Sequence, residues 1–528
     1  MAKYANLIAA VEAAIKTNGT QAITGQVLQT QLKNMISKLG SAYQFGGLVQ
    51  PTDAFSFDID AKIAFLACTQ GRYPAFGNFS LRSGEVALFI YEGTWKKEII
   101  SYYANTQIYG IRHFFNNASP DLTRIGDADL HRDLPVQSLM RRCVVDDTGA
   151  VRYYLNADDS TKKEDGTAAN LTGADGQVMV EIPSHYRKAS LNTAGGYMDV
   201  EISLYSFEGA IRVPRYLVSA YEATLDREDN KLVSVVNASA KYRGGNNNAD
   251  WDGTYRSLLG LPATNINLTN FRTYGRNRGT GWGCYDYNAH LAIYWLFAIE
   301  YATLNSQKAF NPDLDSAGYH QGGLGPGVTN FSNWDNYNSY NPIIPCGYTN
   351  SLGNKTGVKT FTLTPEQAAA YGSEHSESVP SYRGIENPFG HIHKWTDGFL
   401  GVGTGEYQEI YICRDASKYA SVVTLDYVHF STHEAIANGY CKAIVASDPN
   451  LQAEIRVFGD IFDRDDSGSD STYFCDYHYH ENSEGTVSGL LVGGLANNGS
   501  NAGLACFYAS DGPADAYADV GARLCWSE

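Results

Sequence analysis

At 528 residues the chain is too long for one ordinary domain, and roughly two to four units are expected. A formal charge of -17 with no clustered Lys and Arg excludes nucleic acid as a partner, because counterion release from a phosphate backbone needs grouped cations. The chain is 43% hydrophobic and 18% charged, enough to bury a large core, yet no apolar run reaches the roughly 18 residues that would predict membrane insertion.

The 37 tyrosines and 52 glycines suit a recognition protein, since Tyr gives amphipathic contact area at low entropic cost and Gly permits sharp loops. Nine cysteines, an odd number without CxxC spacing, point to synthesis in a reducing cytoplasm rather than to a disulfide framework. The opening MAKYANLIAAVEAAIKTNG lacks the apolar core of a signal peptide, so export by the usual route is not expected.

Residues 1–40 are expected to form two short helices. Leu7, Val11 and Ile15 share one face, and Leu28, Leu32, Met35, Ile36 and Leu39 make a second stripe before Gly40. Stripes this narrow are usually completed by other copies of a chain, so an oligomer is expected; a helical cap on the next domain is the alternative. Residues 41–115 read as a small β domain, with a hairpin over Tyr91–Trp95. Residues 116–177 read as a connector, partly β, whose Ser119–Arg142 stretch is rich in Asp, His and Arg; a solvated connector or ion network is preferred there to a catalytic cluster.

The remaining domain is expected over 178–528. It opens with a strand over 211–226 and a helix over 287–306, whose Leu291, Trp295, Ala298 and Ala302 face a central sheet. Residues 318–357 form a Gly, Asn and Tyr loop region; GGLGPG there lacks the Lys-Ser/Thr ending and the strand-turn-helix setting of a phosphate loop. Asp463 and Asp465 in FDRDDSGSD begin as a calcium loop does, but Phe474 stands where the closing Glu belongs, so an acidic hairpin tip is preferred and no cofactor is assigned. Asp476, His478 and His480 alternate on one face of a strand, a spacing open to zinc, with Cys475, Tyr477 and Tyr479 opposite; a strand with one packed and one contact face is preferred.

From Tyr473 to about residue 520, fixed apolar and Gly positions alternate with small, polar and aromatic ones. Val487, Leu490 and Leu491 suit a buried strand, Gly493-Gly494 a tight turn, and Gly521-Ala522-Arg523-Leu524-Cys525 a closing strand. Between them Leu495, Asn497, Asn498, Ser500, Asn501, Tyr508, Ser510, Asp511, Asp515, Tyr517 and Asp519 follow no core period and read as a ligand-binding surface.

The pattern GGxAxxGxxAGxxxFxxxxGxxxAxAxxGARLC over 493–525 resembles the variable segment of proteins diversified by retroelements in phages and prophages of gut Bacteroides-type bacteria. Asn387-Pro388-Phe389-Gly390-His391-Ile392-His393-Lys394-Trp395 resembles a core signature of the same fold, with His391 in place of Asn and His393 in place of Trp. Glu300-Tyr301 and Asn305-Ser306-Gln307 resemble positions that tie the helix to loops, and residues 17–98 resemble a tail-fibre attachment module. The resemblance implies an α+β, mostly β fold, ending in a C-type lectin-like domain of the formylglycine-generating-enzyme subtype. It further implies a virion tail protein, homotrimeric, that meets other tail proteins through its N-terminal region and a bacterial surface receptor, glycan or outer-membrane protein, through the variable surface.

An enzyme on that fold, an oxidase or glycan hydrolase, would need a reactive Cys or a carboxylate pair. The late Cys506 and Cys525 read instead as buried thiols packed as small hydrophobes, and no GxSxG elbow is present. A purely structural tail protein is the third reading.

Overall fold

The computed structural model describes residues 44–53, 62–67, 71–81, 87–91, 93–99, 107–192, 194–434, 438–440, 442 and 468–528. The expected helices over 1–40 and the loop holding Asp463 and Asp465 lie outside the described residues. The chain is mostly β with few helices and forms two compact units, Met1–Gln107 and Ile108–Glu528.

In the first unit, runs rich in aromatic and branched residues become a four-stranded sheet in the order Gln44–Val49, Ile63–Ala67, Ala87–Tyr91 and Trp95–Ile99. The last two strands pair antiparallel through Tyr91 and Trp95, the hairpin read from the sequence. Phe65 on Phe76, and Tyr73 on both Phe76 and Phe89, pack edge to face at 4.9–6.4 Å between ring centroids, a geometry that adds to plain burial.

The second unit carries three large sheets. One has six strands in the order Val151–Tyr154, Arg141–Val145, Gln177–Ile182, Tyr216–Ser219, Leu524–Ser527 and Trp282–Cys284. A five-stranded sheet joins Tyr109–Phe114 and Thr123–Gly126 to Tyr197–Ser203, His185–Asn192 and Ile211–Val213. The eight-stranded sheet has His393–Gly403 at its centre, with Tyr407–Ile412 and Val428–Glu434 on one side. Val487–Val492, Phe507–Ala509, Tyr477–His480 and Gly439–Tyr440 follow on the other, while Val520–Ala522 pairs parallel to the central strand.

Three expectations are corrected. Residues 116–177 are no separate connector: Arg141–Val145 pairs with Gln177–Ile182, and Arg142 is fully buried, donating to Gly384 O, Asn350 Oδ1, Thr349 Oγ1 and Ser160 Oγ. The stretch 211–226 is three strands in three sheets, the first two separated at Pro214, which has no N–H to continue a ladder. The helix runs Tyr287–Tyr301, ends where Ala302 turns left-handed, and is buried all round apart from Asn288. Its residues are apolar on every side, so it has no solvent face and forms the middle of the core.

The chain's closing residues lock this core. Arg523, 1% exposed, lies between the parallel strand and the last strand and donates to Ser219 O, Glu386 O and Asn387 O. Nearby, buried Lys394 pairs with Glu222 at 2.9 Å, and His391 bonds the other oxygen of the same carboxylate. His391 Nε2 accepts the N–H groups of Ile343 and Ile344, so its Nδ1 carries the proton toward Glu222. Burial opposes the charge on Glu222, but His391, Lys394 and Arg523 outweigh it and hold the carboxyl down at about 2. His391 and His393 are both buried, with His391 as a hydrogen-bonding hub.

Candidate binding surface

The loop Gly493–Cys506 is pinned from below through its backbone. Gly493 N donates to Cys506 O, Gly390 N to Gly493 O, Ala496 N to His391 O and Gly499 N to Thr329 O. At its far end Leu504 N donates to Ser306 Oγ at 3.0 Å, while His290 Nε2 meets Leu504 O at 3.0 Å. Gln307 Nε2 donates to both Gly499 O and Ala502 O at 3.1 and 2.6 Å. Ser306 and Gln307, read from the sequence as ties between helix and loop, do hold this loop. Glu300 serves another place, accepting from Tyr382 and Arg383.

The second contact stretch, Ser510–Asp519, is held by backbone to the strand and helix beside it. Gly489 N donates to Asp511 O, Asn265 N to Tyr517 O and His393 N to Asp519 O. Fixed backbones of this kind let side chains vary without moving the chain.

All eleven candidate positions keep solvent-accessible surface. Asn497, Ser500 and Tyr517 are exposed, Tyr517 at 45%, and the other eight are half-buried. Three also support the loops. Leu495 packs against the cluster holding Phe331, Ile392 and Ala496. Asn498 Oδ1 accepts Leu495 N at 2.9 Å, and Asp515 Oδ2 accepts Gly512 N at 2.8 Å. Leu495, Asn498 and Asp515 thus have structural contacts as well as exposed surface, the two polar ones because short polar side chains close local turns. Burial, then the charge of Asp515, raises Asp511; burial, opposed by its own backbone and aided by Asp511, raises Asp519.

The structure adds Tyr440, which the sequence does not single out, to tyrosines that it does. Tyr440, Tyr477, Tyr479 and Tyr508 stand in a row of half-buried rings, with successive centroids 5.2, 4.8 and 4.1 Å apart, and His393 continues it 4.3 Å beyond Tyr508. Tyr440 OH lies 2.9 Å from Ser500 Oγ and donates to Asn501 Oδ1 at 2.8 Å. His393 joins the two contact stretches, its ring against Tyr508 and its N–H on Asp519 O. Tyr440 comes from a strand far from the terminal segment, and only the parallel pairing of Tyr477–His480 with Phe507–Ala509 brings its neighbours into register.

Asp476, one of the three alternating residues, points inward. It accepts Ala505 N at 2.7 Å, and burial raises it well above its ordinary range. His478 is buried and stacked on Phe507. The half-buried Tyr477 and Tyr479 therefore lie on the more accessible face of this strand. Among the described residues no group of three or more His, Cys, Asp and Glu could hold a metal ion. No described helix is long and apolar enough to cross a membrane.

No family model and no curated protein matches this chain. Among solved structures, the Major Tropism Determinant U1 variant is 12% identical, with 90% of this chain and 85% of that chain covered, at a TM-score of 0.25. The P3c variant of the same protein is 11% identical, covering 92% and 98%, at a TM-score of 0.22. Superposition this loose carries no argument about the fold or the function of the present chain.

Proposed function

We propose that the chain is a receptor-binding protein of a phage tail, which captures a bacterial surface through the face built by Gly493–Cys506, Ser510–Asp519 and the tyrosine row. One observation carries this reading: exposed Asn497, Ser500 and Tyr517 stand on loops whose backbones are bonded to buried residues, so recognition and folding are assigned to different atoms. The resemblance of 493–525 to retroelement-diversified segments supports the same assignment, as does the C-type lectin-like fold that it implies. Attachment through the N-terminal region, homotrimeric assembly and location in the virion belong to the same proposal; clustering would raise effective concentration and turn weak contacts into avidity.

Binding rather than catalysis is favoured by the thiols. Cys143, Cys284, Cys346, Cys475 and Cys525 are buried, and burial pushes each upward, away from the reactive thiolate. The test is capture of bacteria by the purified full chain, using a panel of gut Bacteroides isolates. Replacing Asn497, Ser500 and Tyr517 together by Ala should abolish capture and leave the melting temperature unchanged; undiminished capture overturns the proposal.

A further inference from the structure

Resting on that reading, we infer that the ligand of this face is a surface polysaccharide and that Tyr440, Tyr477 and Tyr479 form its fixed platform. Four phenol rings, each half-buried, 4.1–5.2 Å from the next and tilted by 32–76° to one another, present a continuous aromatic surface against which sugar rings can pack. The apolar C–H face of a pyranose stacks on an aromatic ring, while its vicinal hydroxyls require planar or small polar partners at the edge of that ring. Such partners flank this surface. Asn501 and Ser500 sit at the Tyr440 end, and at the other end the Asp519 carbonyl accepts the N–H of His393, whose ring meets Tyr508.

The composition disfavours a protein ligand. Protein hot spots draw on Trp and Arg as well as Tyr around a dry apolar centre, whereas the eleven positions hold no Trp or Arg and a single Leu that packs inward. Three of the row's four tyrosines lie outside those eleven positions, so the ring surface stays constant while its polar rim changes. Such a division would keep the class of ligand and alter which sugar is preferred.

The experiment uses the full chain on three preparations of a captured isolate: untreated cells, cells oxidised with periodate, which cleaves vicinal diols, and protease-treated cells. Its purified capsular polysaccharide is coated separately. Periodate is expected to abolish capture and protease to spare it. On the coated polysaccharide, Tyr477→Ala with Tyr479→Ala should weaken binding about tenfold or more, and Tyr479→Phe, which keeps the ring, should stay within about threefold. Tyr440→Ala, at the end of the row, provides a second variant should the double replacement unfold, with a loss expected there too. Capture that resists periodate and falls with protease overturns the polysaccharide inference and leaves receptor binding standing. Unchanged binding by both alanine variants overturns the platform, and capture of no isolate at all overturns the receptor-binding reading itself.

Discussion

Asp476 accepts the backbone N–H of Ala505 at 2.7 Å and stands so near Gly503 that a Cβ there would lie 2.0 Å from its Oδ1. The carboxyl is fully inside the protein, and Gly503 has a φ of +151°, so neither partner has room to yield. Asp476→Ala should cost about 1–3 kcal/mol by leaving buried N–H donors without an acceptor. Gly503→Ala should destabilise by pushing the same carboxyl aside. Because the clash with the carboxyl is shared, the double variant should lose less than the sum of the two single losses in denaturant unfolding, while the backbone strain at 503 and the orphaned N–H remain. Additive losses would show the two effects to be independent.

The pH dependence of stability has a separate handle at Asp286, which caps the buried helix by accepting Ala289 N at 2.8 Å. Burial, with the nearby charge of Asp397, pushes its carboxyl from an ordinary 3.8 up to about 7. The folded chain therefore holds this proton more tightly than the unfolded chain. The stabilisation is complete below pH 3.8 and is lost as pH rises through 7. Asp286→Asn keeps an acceptor for the cap and removes the charge, so the drop in unfolding midpoint between pH 5 and pH 8 should shrink. An unchanged drop would place the titration elsewhere.

The two halves of the binding face differ in how far the sequence reveals them. Leu490, Leu491 and the closing Gly521–Cys525 run announce buried strands, since apolar spacing reports burial directly. Period cannot separate a polar residue that meets solvent from one that closes its own turn, which is why Asn498 and Asp515 look like Asn497 in the sequence. Tyr440 is hidden for another reason: its place beside Tyr477 depends on pairing between segments far apart in the chain. Pro214 and the left-handed Ala302 are local signals, yet their consequences, a change of sheet and a helix end, are set by tertiary contacts.

Arg523 tests how the closing strand is locked. Its guanidinium reaches three carbonyls on two segments, with Ser219 O at 3.1 Å and Asn387 O at 2.7 Å, and it lies in the field of Glu222 and Glu386. Arg523→Met should cost about 3–5 kcal/mol, because the carbonyls and both carboxylates lose a buried cation. Arg523→Lys should recover only part of this in thermal unfolding, since a point charge cannot span the fork's three acceptors. Full recovery by Lys would mean that charge alone matters there.

Tyr508 and Tyr517 should separate packing from contact. The Tyr508 ring lies 4.1 Å from that of Tyr479 and 4.3 Å from that of His393, whereas Tyr517 is exposed. Tyr508→Ala should therefore lower stability by about 0.5–1.5 kcal/mol for each of these two ring pairs that it breaks. Tyr517→Ala should change stability by no more than about 0.5 kcal/mol, as surface replacements do. Both should weaken capture of bacteria, and Tyr508→Phe, which preserves the stack, should restore the melting temperature and leave only the effect of the hydroxyl on binding. Equal melting losses at the two positions would mean that Tyr517 also supports the fold, and the separation of recognition from folding would fail at that loop.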